Sequence, residues 1–306
     1  MPKRVNPTIT EIDSWLHERS NWGRWGDKGA AGAINLITPK KRKQAAELVE
    51  SGRTVSLGRP LPVEASQENP QPVQHYMTVK KAEDNTGGYA CDYIGIFQHG
   101  YSVTHIDALC HHWGNDGMWE GLDPAKEISF SGALSGSVDA WSDGIVTRGI
   151  LLDVPKYRNK PYVEINDPVH GWELEDIAAS QQVSIEPGDA LIVNCGRESF
   201  SKKNGGLFYT PPNHPWVHPS CIKFIRDNDI ALWGWDIADD PRVEYGHART
   251  VHSILSSYGV AILDNALLEP LAKACAEEGR YEFMLTINPL IILGGTGSPV
   301  NPIAVF

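Results

Sequence analysis

Val146-Thr-Arg-Gly-Ile-Leu-Leu-Asp-Val154 is a nine-residue run rich in apolar and β-branched side chains, and it stops at Pro155. Such a run, bounded by a breaker, reads as a buried strand. Alternating elements follow it. Leu174 to Ala179 reads as helix, and Ala190 to Asn194 as strand after the turn Pro187-Gly188-Asp189. Cys221 to Arg226 is helical before a strand at Ile230 to Trp235. His247 to Ser257 is helical before a strand at Val260 to Leu263. Strands separated by single helices predict an α/β domain with a mixed β-sheet core and flanking helices.

Upstream, Thr38-Pro39 followed by Ala45, Ala46, Leu48 and Val49 predicts an N-cap, a first-turn proline and an apolar helix face, with Gly52 closing the helix. Pro60 to Gly88 is rich in Pro, Gln and Asn and reads as an irregular excursion. No internal repeat or low-complexity linker divides the chain, so one domain over residues 1–306 is the simplest organisation.

Composition bounds the function. The 306 residues are 41% hydrophobic and 21% charged, enough for a sizeable core and against disorder. A net charge of −11 disfavours nucleic acid, which requires clustered cations. The basic cluster Lys40-Lys41-Arg42-Lys43 reads as a solvated helix face. No apolar signal core follows Met1 to Asn6, and Leu290 to Leu293 falls far short of the ~20 residues that span a bilayer. The expectation is a soluble, cytoplasmic protein with no membrane partner. Five cysteines without a CxxC pair predict neither a disulfide framework nor a zinc knuckle.

The chemistry concentrates in Phe97 to Trp113, FQHGYSVTHIDALCHHW, where four histidines and one aspartate fall within fourteen residues, His99 to His112. In extended chain alternate residues share a face, so His99, Tyr101, His105, Asp107 and His111 point one way and His112 the other. Full extension separates His99 from His105 by roughly 20 Å, so a shared site requires a turn, which Gly100 and Ser102 can supply. Imidazole with carboxylate suits Zn²⁺ or Mn²⁺, and such an ion generates hydroxide from water near neutral pH. Any one of these histidines alone would more often be a satisfied core or surface residue; it is the grouping that points to a site.

Thr104-His105-x-Asp107-Ala108-x-x-His111 resembles the His-x-Gly-Thr-His-x-Asp-x-Pro-x-His signature of the metal-dependent cyclase family, which includes bacterial kynurenine formamidase and isatin hydrolase. The resemblance implies that His105 and Asp107 bind the metal and that His111 is the acid/base. Tyr101 stands where the family has its first histidine; His99, two residues earlier and of the same parity, takes the role of displaced ligand. Leu109 replaces the usual proline. His252 and Asp264-Asn265 keep the family's twelve-residue spacing between a helix histidine and a strand acid, with Asp in place of Glu. They imply further metal contacts, one ion or two. Pro187-Gly188-Asp189, Gly234-Trp235-Asp236, Asn21 to Gly26, Asn35 to Pro39 and Gly294 to Pro302 resemble landmarks of the longer branch. By resemblance the fold is the family's swivelling β/α/β architecture. The protein is then a homo-oligomer, dimer or tetramer, with an N-terminal extension (about 1–37) packing on the core or a partner subunit.

Other signals carry less. No Gly-x-Ser-x-Gly elbow exists, against a serine hydrolase. Gly294 to Ser298 lacks the Lys-Ser/Thr of a phosphate loop and reads as a turn delivering the C-terminus to the core. Cys110 reads as a small core residue. Trp25, Trp113 and Tyr101 are the candidates to line a pocket for a small-molecule substrate, against core packing as the plainer reading. The function expected is a hydrolase that opens a small amide or lactone with metal-activated water. The alternatives are a non-catalytic metal- or ligand-binding protein on the same fold, and a cyclase or dehydratase using the same groups.

Overall fold

A computed structural model describes residues 4–84, 86–206, 214–239, 242 and 244–306; residues 1–3 of the N-terminal extension lie outside it. Among the described residues the strands are β1 Thr54–Ser56, β2 Gln74–Lys81, β3 Gly88–Gly95, β4 His105–Asp107, β5 Ile128–Ser129, β6 Gly132–Ala133, β7 Ile145–Asp153, β8 Ala190–Asn194, β9 Leu232–Trp235, β10 Ala261–Asp264, β11 Glu282–Ile287, β12 Gly297–Pro299 and β13 Ile303–Val305. Nine of them form one sheet in the order β1-β13-β11-β7-β8-β9-β10-β4-β12.

β7, β8, β9 and β10 run parallel, and every other pairing in this sheet is antiparallel. The parallel strands are the four alternating runs of the sequence, and all of β8, β9 and β10 is buried. That is why these strands read as near-continuous apolar stretches: helices cover both faces. Among the described residues the helices are α1 Ile9–Glu18, α2 Pro39–Ala46, α3 Pro124–Glu127, α4 Val154–Arg158, α5 Gly171–Ser180, α6 Arg197–Asn204, α7 Ser220–Asp227, α8 Ser253–Tyr258 and α9 Glu269–Glu278, of which α2, α4, α5, α8 and α9 pack directly on strands of this sheet. The chain is a single mixed α/β domain. No helix is long and apolar enough to cross a membrane among the described residues.

The N-terminal extension is part of the core. Ile12 and Leu16 of α1 are buried in it, and Ala33 N–H donates to Gly259 O at 2.7 Å. Gly32 permits that approach: its φ is +56°, and a Cβ there would lie 2.3 Å from Gly259 O.

Four local expectations are corrected. α2 has its Thr38 cap but ends at Ala46; Gly52 (φ +73°) instead turns the chain into β1, with its N–H donating to Phe306 O. Lys41 is buried, not solvated: its ammonium pairs with Asp189 at 2.5 Å and Glu186 at 3.0 Å, and Arg148 shares Asp189 at 2.6 Å. The stretch taken as irregular holds β2, which pairs with β3 in full register. His247 to Ser257 is not one helix. It is a 3₁₀ turn at His247–Arg249 and then α8, because the His252 N–H donates to the Asp239 carboxylate at 3.0 Å instead of continuing a helical ladder.

Candidate metal centre

β4 is three residues long and wholly buried between β10 and β12. Its register sets His105 opposite Asp264, and directly opposed residues share a face. Asp107, two residues on, shares it too. Strand pairing alone therefore brings one imidazole and two carboxylates together.

A turn adds His99, as its distance from His105 required. The extended face holds only over β4; residues 99–103 bend, with Gly100 at φ +139°. Asn265 (φ +55°) clamps the bend by donating its amide to Gly100 O at 2.5 Å, while Arg197 donates to Tyr101 O and to Asn265 Oδ1. Burial pushes the Arg197 guanidinium down to about 10. His99 thereby meets Asp107: Nδ1 lies 2.9 Å from Oδ1, and Nε2 is 2.9 Å from Thr296 Oγ1. The glycine-rich turn near the C-terminus thus also supplies a hydroxyl to the site.

Each donor is oriented from behind. His105 Nδ1 donates to its neighbour Val103 O at 2.8 Å, so Nε2 presents a lone pair to Asp107 Oδ1 at 3.3 Å. His252 Nδ1 donates to Asp239 Oδ2 at 2.8 Å, turning Nε2 toward Asp107 Oδ2 at 3.2 Å and Asp264 Oδ2 at 3.4 Å. Trp235 Nε1 donates to the other Asp264 oxygen. His111 stacks on His99, ring centroids 3.8 Å apart, with Nε2 4.0 Å from Asp107 Oδ2.

The electrostatics call for a cation. His99 Nδ1 and Asp107 Oδ1 are buried and lack a hydrogen-bond partner despite their proximity. Burial opposes charge on His105, but Asp107 outweighs it and raises the group; burial opposes charge on His252 too, and Asp264 and Asp239 raise it well above the usual value. Burial likewise opposes charge on Asp107, yet the surrounding imidazoles lower it well below the carboxylate range. His111 behaves differently: burial pushes it down to about 3, leaving it neutral. Two sets of ligand atoms lie within 4.8 Å of one another, His99/His105/Asp107 and Asp107/His111/His252. This donor set is compatible with a divalent metal, with Asp107 common to both sets.

The remaining candidates lie elsewhere. Tyr101 is buried in a separate cluster with Tyr162, Phe200 and Ala238, its hydroxyl donating to Asp239 O at 3.5 Å; the bend that brings His99 in turns Tyr101 away. Trp25 packs on Trp119, ring centroids 6.0 Å apart, as a partly buried core side chain. Trp113 is exposed beside the motif. His112 Nε2 donates to His247 O at 3.2 Å, away from the Asp107 cluster. Cys110 is a core residue, its thiol pushed up to about 12 by burial. Asp236 accepts from the backbone of Cys195 and Arg197, joining β8 to β9. Sequence reasoning missed Asp239, Thr296 and the Arg197–Asn265 clamp. Asp239 sits thirteen residues before His252, and nothing in that spacing marks a pair.

The model of the cyclase family matches residues 54–239. No curated protein matches the chain. Among solved structures, a crystal structure of a cyclase is 27% identical, with a TM-score of 0.79, covering 94% of this chain and 99% of the other. Isatin hydrolase A from Labrenzia aggregata, bound to benzyl benzoate, is 20% identical with a TM-score of 0.54, over 86% of this chain and 97% of its own. A structure described as a predicted metal-dependent hydrolase from Bacillus stearothermophilus is 18% identical with a TM-score of 0.50, over 82% and 97%.

Proposed function

The chain belongs to the cyclase family, and on that premise we propose that it is a metal-dependent hydrolase opening a small amide or lactone. One observation carries the reading: His99, His105 and Asp107 converge with two orphaned ligand atoms, and His111 stacks against His99. The hydrolases that share this fold support it.

His99 Nδ1, His105 Nε2 and Asp107 Oδ1 would hold the ion, and His252 with Asp264 would flank it on the Oδ2 side of Asp107. Zn²⁺ and Mn²⁺ both suit mixed imidazole and carboxylate donors. When bound, such an ion polarises a carbonyl oxygen and lowers the pKa of water. The chain's own part is proton transfer. His111, partly open to solvent with Nε2 4.0 Å from Asp107 Oδ2, takes a proton at Nε2 from the attacking water. It returns that proton to the leaving nitrogen or oxygen as the C–N or C–O bond breaks and a carboxylate forms. Asp239 keeps His252 in the tautomer that faces Asp107. Trp113, exposed next to the motif, is the aromatic side chain we assign to substrate contact.

His111→Ala tests this directly. It should keep bound metal at wild-type stoichiometry while kcat on a panel of cyclic amides and lactones falls roughly 10²–10⁴-fold. Loss of metal along with activity would place His111 among the ligands, as the Asp107/His111/His252 set allows. Full activity would remove the proton-transfer role.

A further inference from the structure

A cavity of about 460 Å³ lies between α1, the turn at residues 114–117 and α8, within the size range of small-molecule sites. None of the metal centre's donors lines it. It nonetheless backs on that centre, since Gly114 follows Trp113 and Ser253, the first residue of α8, follows His252.

The wall is rich in acceptors and poor in donors. Ser14 Oγ donates to Glu18 Oε2 at 2.9 Å, Ser253 Oγ to Ala248 O at 2.9 Å and Ser256 Oγ to Ser253 O at 3.2 Å. Each of these hydroxyls has spent its proton and keeps only lone pairs. Trp22 Nε1 donates to Ser256 O at 2.8 Å, which leaves its ring as the apolar part of the wall. Charge points the same way. Arg249 neutralises Asp13 through two bonds, at 2.6 and 2.9 Å. Glu18 and Asp116 pair with no lysine or arginine among the described residues; Asp116 has only His17, at 3.1 Å. Ser257 points to an occupant independently. It lines the cavity at 8% exposure, and its hydroxyl has no partner among the described residues, whereas buried hydroxyls are ordinarily paired.

We infer that this cavity is a second binding site, separate from the metal centre, for a small organic diammonium compound. An ammonium carries three donors and no acceptor, the complement of a wall of lone pairs and carboxylates. Two unmatched carboxylates favour a dication, and the Trp22 ring suits both its charge and its alkyl chain. The chain's net charge of −11 draws such a cation in from solution. An anion would meet repulsion from Glu18 and Asp116, and a bare metal ion would fill little of the volume.

Calorimetric titration of putrescine, a four-carbon diamine, into the full chain tests this. The terminal diol of the same length and sodium chloride at matched ionic strength are the controls. Putrescine should saturate at one per chain with a Kd of about 1 mM or below, and neither control should give saturable heat. Glu18→Gln with Asp116→Asn should raise that Kd at least about 10-fold, because the ammonium groups lose their charged acceptors. Gly114→Leu reads the same site by volume. A Cβ there meets nothing nearer than 3.9 Å, at Ala248 O and Ser256 Oγ, so the side chain enters the cavity without displacing its wall and should also weaken binding. Circular dichroism checks folding, and either variant suffices should the other misfold. His99→Ala should bind putrescine as wild type does, because the diamine does not sit on the metal. Four results would each overturn the inference: no saturable heat from the wild type, equal binding of the diol, a folded cavity variant as tight as wild type, or binding lost in His99→Ala.

Discussion

Replacing Asp239 separates the orientation of His252 from its presence. Asp239 Oδ2 accepts two hydrogen bonds from His252, from the backbone N–H at 3.0 Å and from Nδ1 at 2.8 Å. Asp239→Ala leaves both donors without their acceptor next to a buried ring, at about 1–3 kcal/mol each, so roughly 2–6 kcal/mol of stability is at stake. Asp239→Asn keeps the shape and can place its amide oxygen where Oδ2 stood, still accepting both bonds, but it removes the negative charge behind Nδ1–H. The ring keeps its proton on Nδ1, but without the carboxylate charge behind it the Nε2 lone pair facing Asp107 and Asp264 is a weaker ligand. Loss of such a supporting carboxylate typically costs 10–100-fold in metal affinity or activity, about 1.4–2.8 kcal/mol. Calorimetric titration of Mn²⁺ and Zn²⁺ into metal-free protein, with urea unfolding of the same samples, reads both effects. The Asn variant should lose affinity or turnover by that factor while unfolding close to wild type; the Ala variant should lose both. An Asn variant within twofold of wild type in both affinity and kcat would refute the idea that the Asp239 charge strengthens His252 as a ligand.

Three further outcomes are expected. His99→Ala should weaken metal binding, whereas Tyr101→Phe should leave it within a fewfold, because only His99 faces Asp107; metal titrations showing the reverse would reassign the ligand. Stability should fall as pH drops from 6.5 toward about 3. Burial holds His218 at about 3 and His214 at about 4, so the unfolded chain binds more protons throughout that window. Asp236, raised to about 6 by burial, acts the opposite way between 3.8 and about 6, which should flatten the upper part of the acid limb; urea midpoints across pH 3–7 measure the balance. Gly149→Ala should cost about 1–3 kcal/mol in urea unfolding, since a Cβ there would lie 2.3 Å from the ring of Phe283, a buried side chain on the paired strand β11. Wild-type stability would mean that the ring shifts freely.

The α/β class and the four parallel strands were legible because strands buried on both faces must be apolar throughout, and Ala190 to Asn194 coincides with β8 residue for residue. His105 and Asp107 were legible because two-residue spacing in a strand shares a face, and β4 is a strand. The need for a bend between His99 and His105 followed from chain geometry alone. What holds that bend did not, since Asn265 and Arg197 lie far along the chain and come near through sheet order. The break at His252 was hidden for the same reason: the acceptor that diverts its N–H, Asp239, comes from the end of another strand. Lys41 misled because a basic run on a helix reads as solvated unless a buried acid is brought to it, and Asp189 arrives from the turn before β8. Sequence by itself determined the four parallel strands and the candidate donors His105 and Asp107, because both depend on spacings of a few residues. Only the tertiary structure decided which of those atoms meet, since β4 finds β10 and β12 across more than 150 residues of chain and the pairing register, not the local pattern, aims His105, Asp107 and Asp264 at one point.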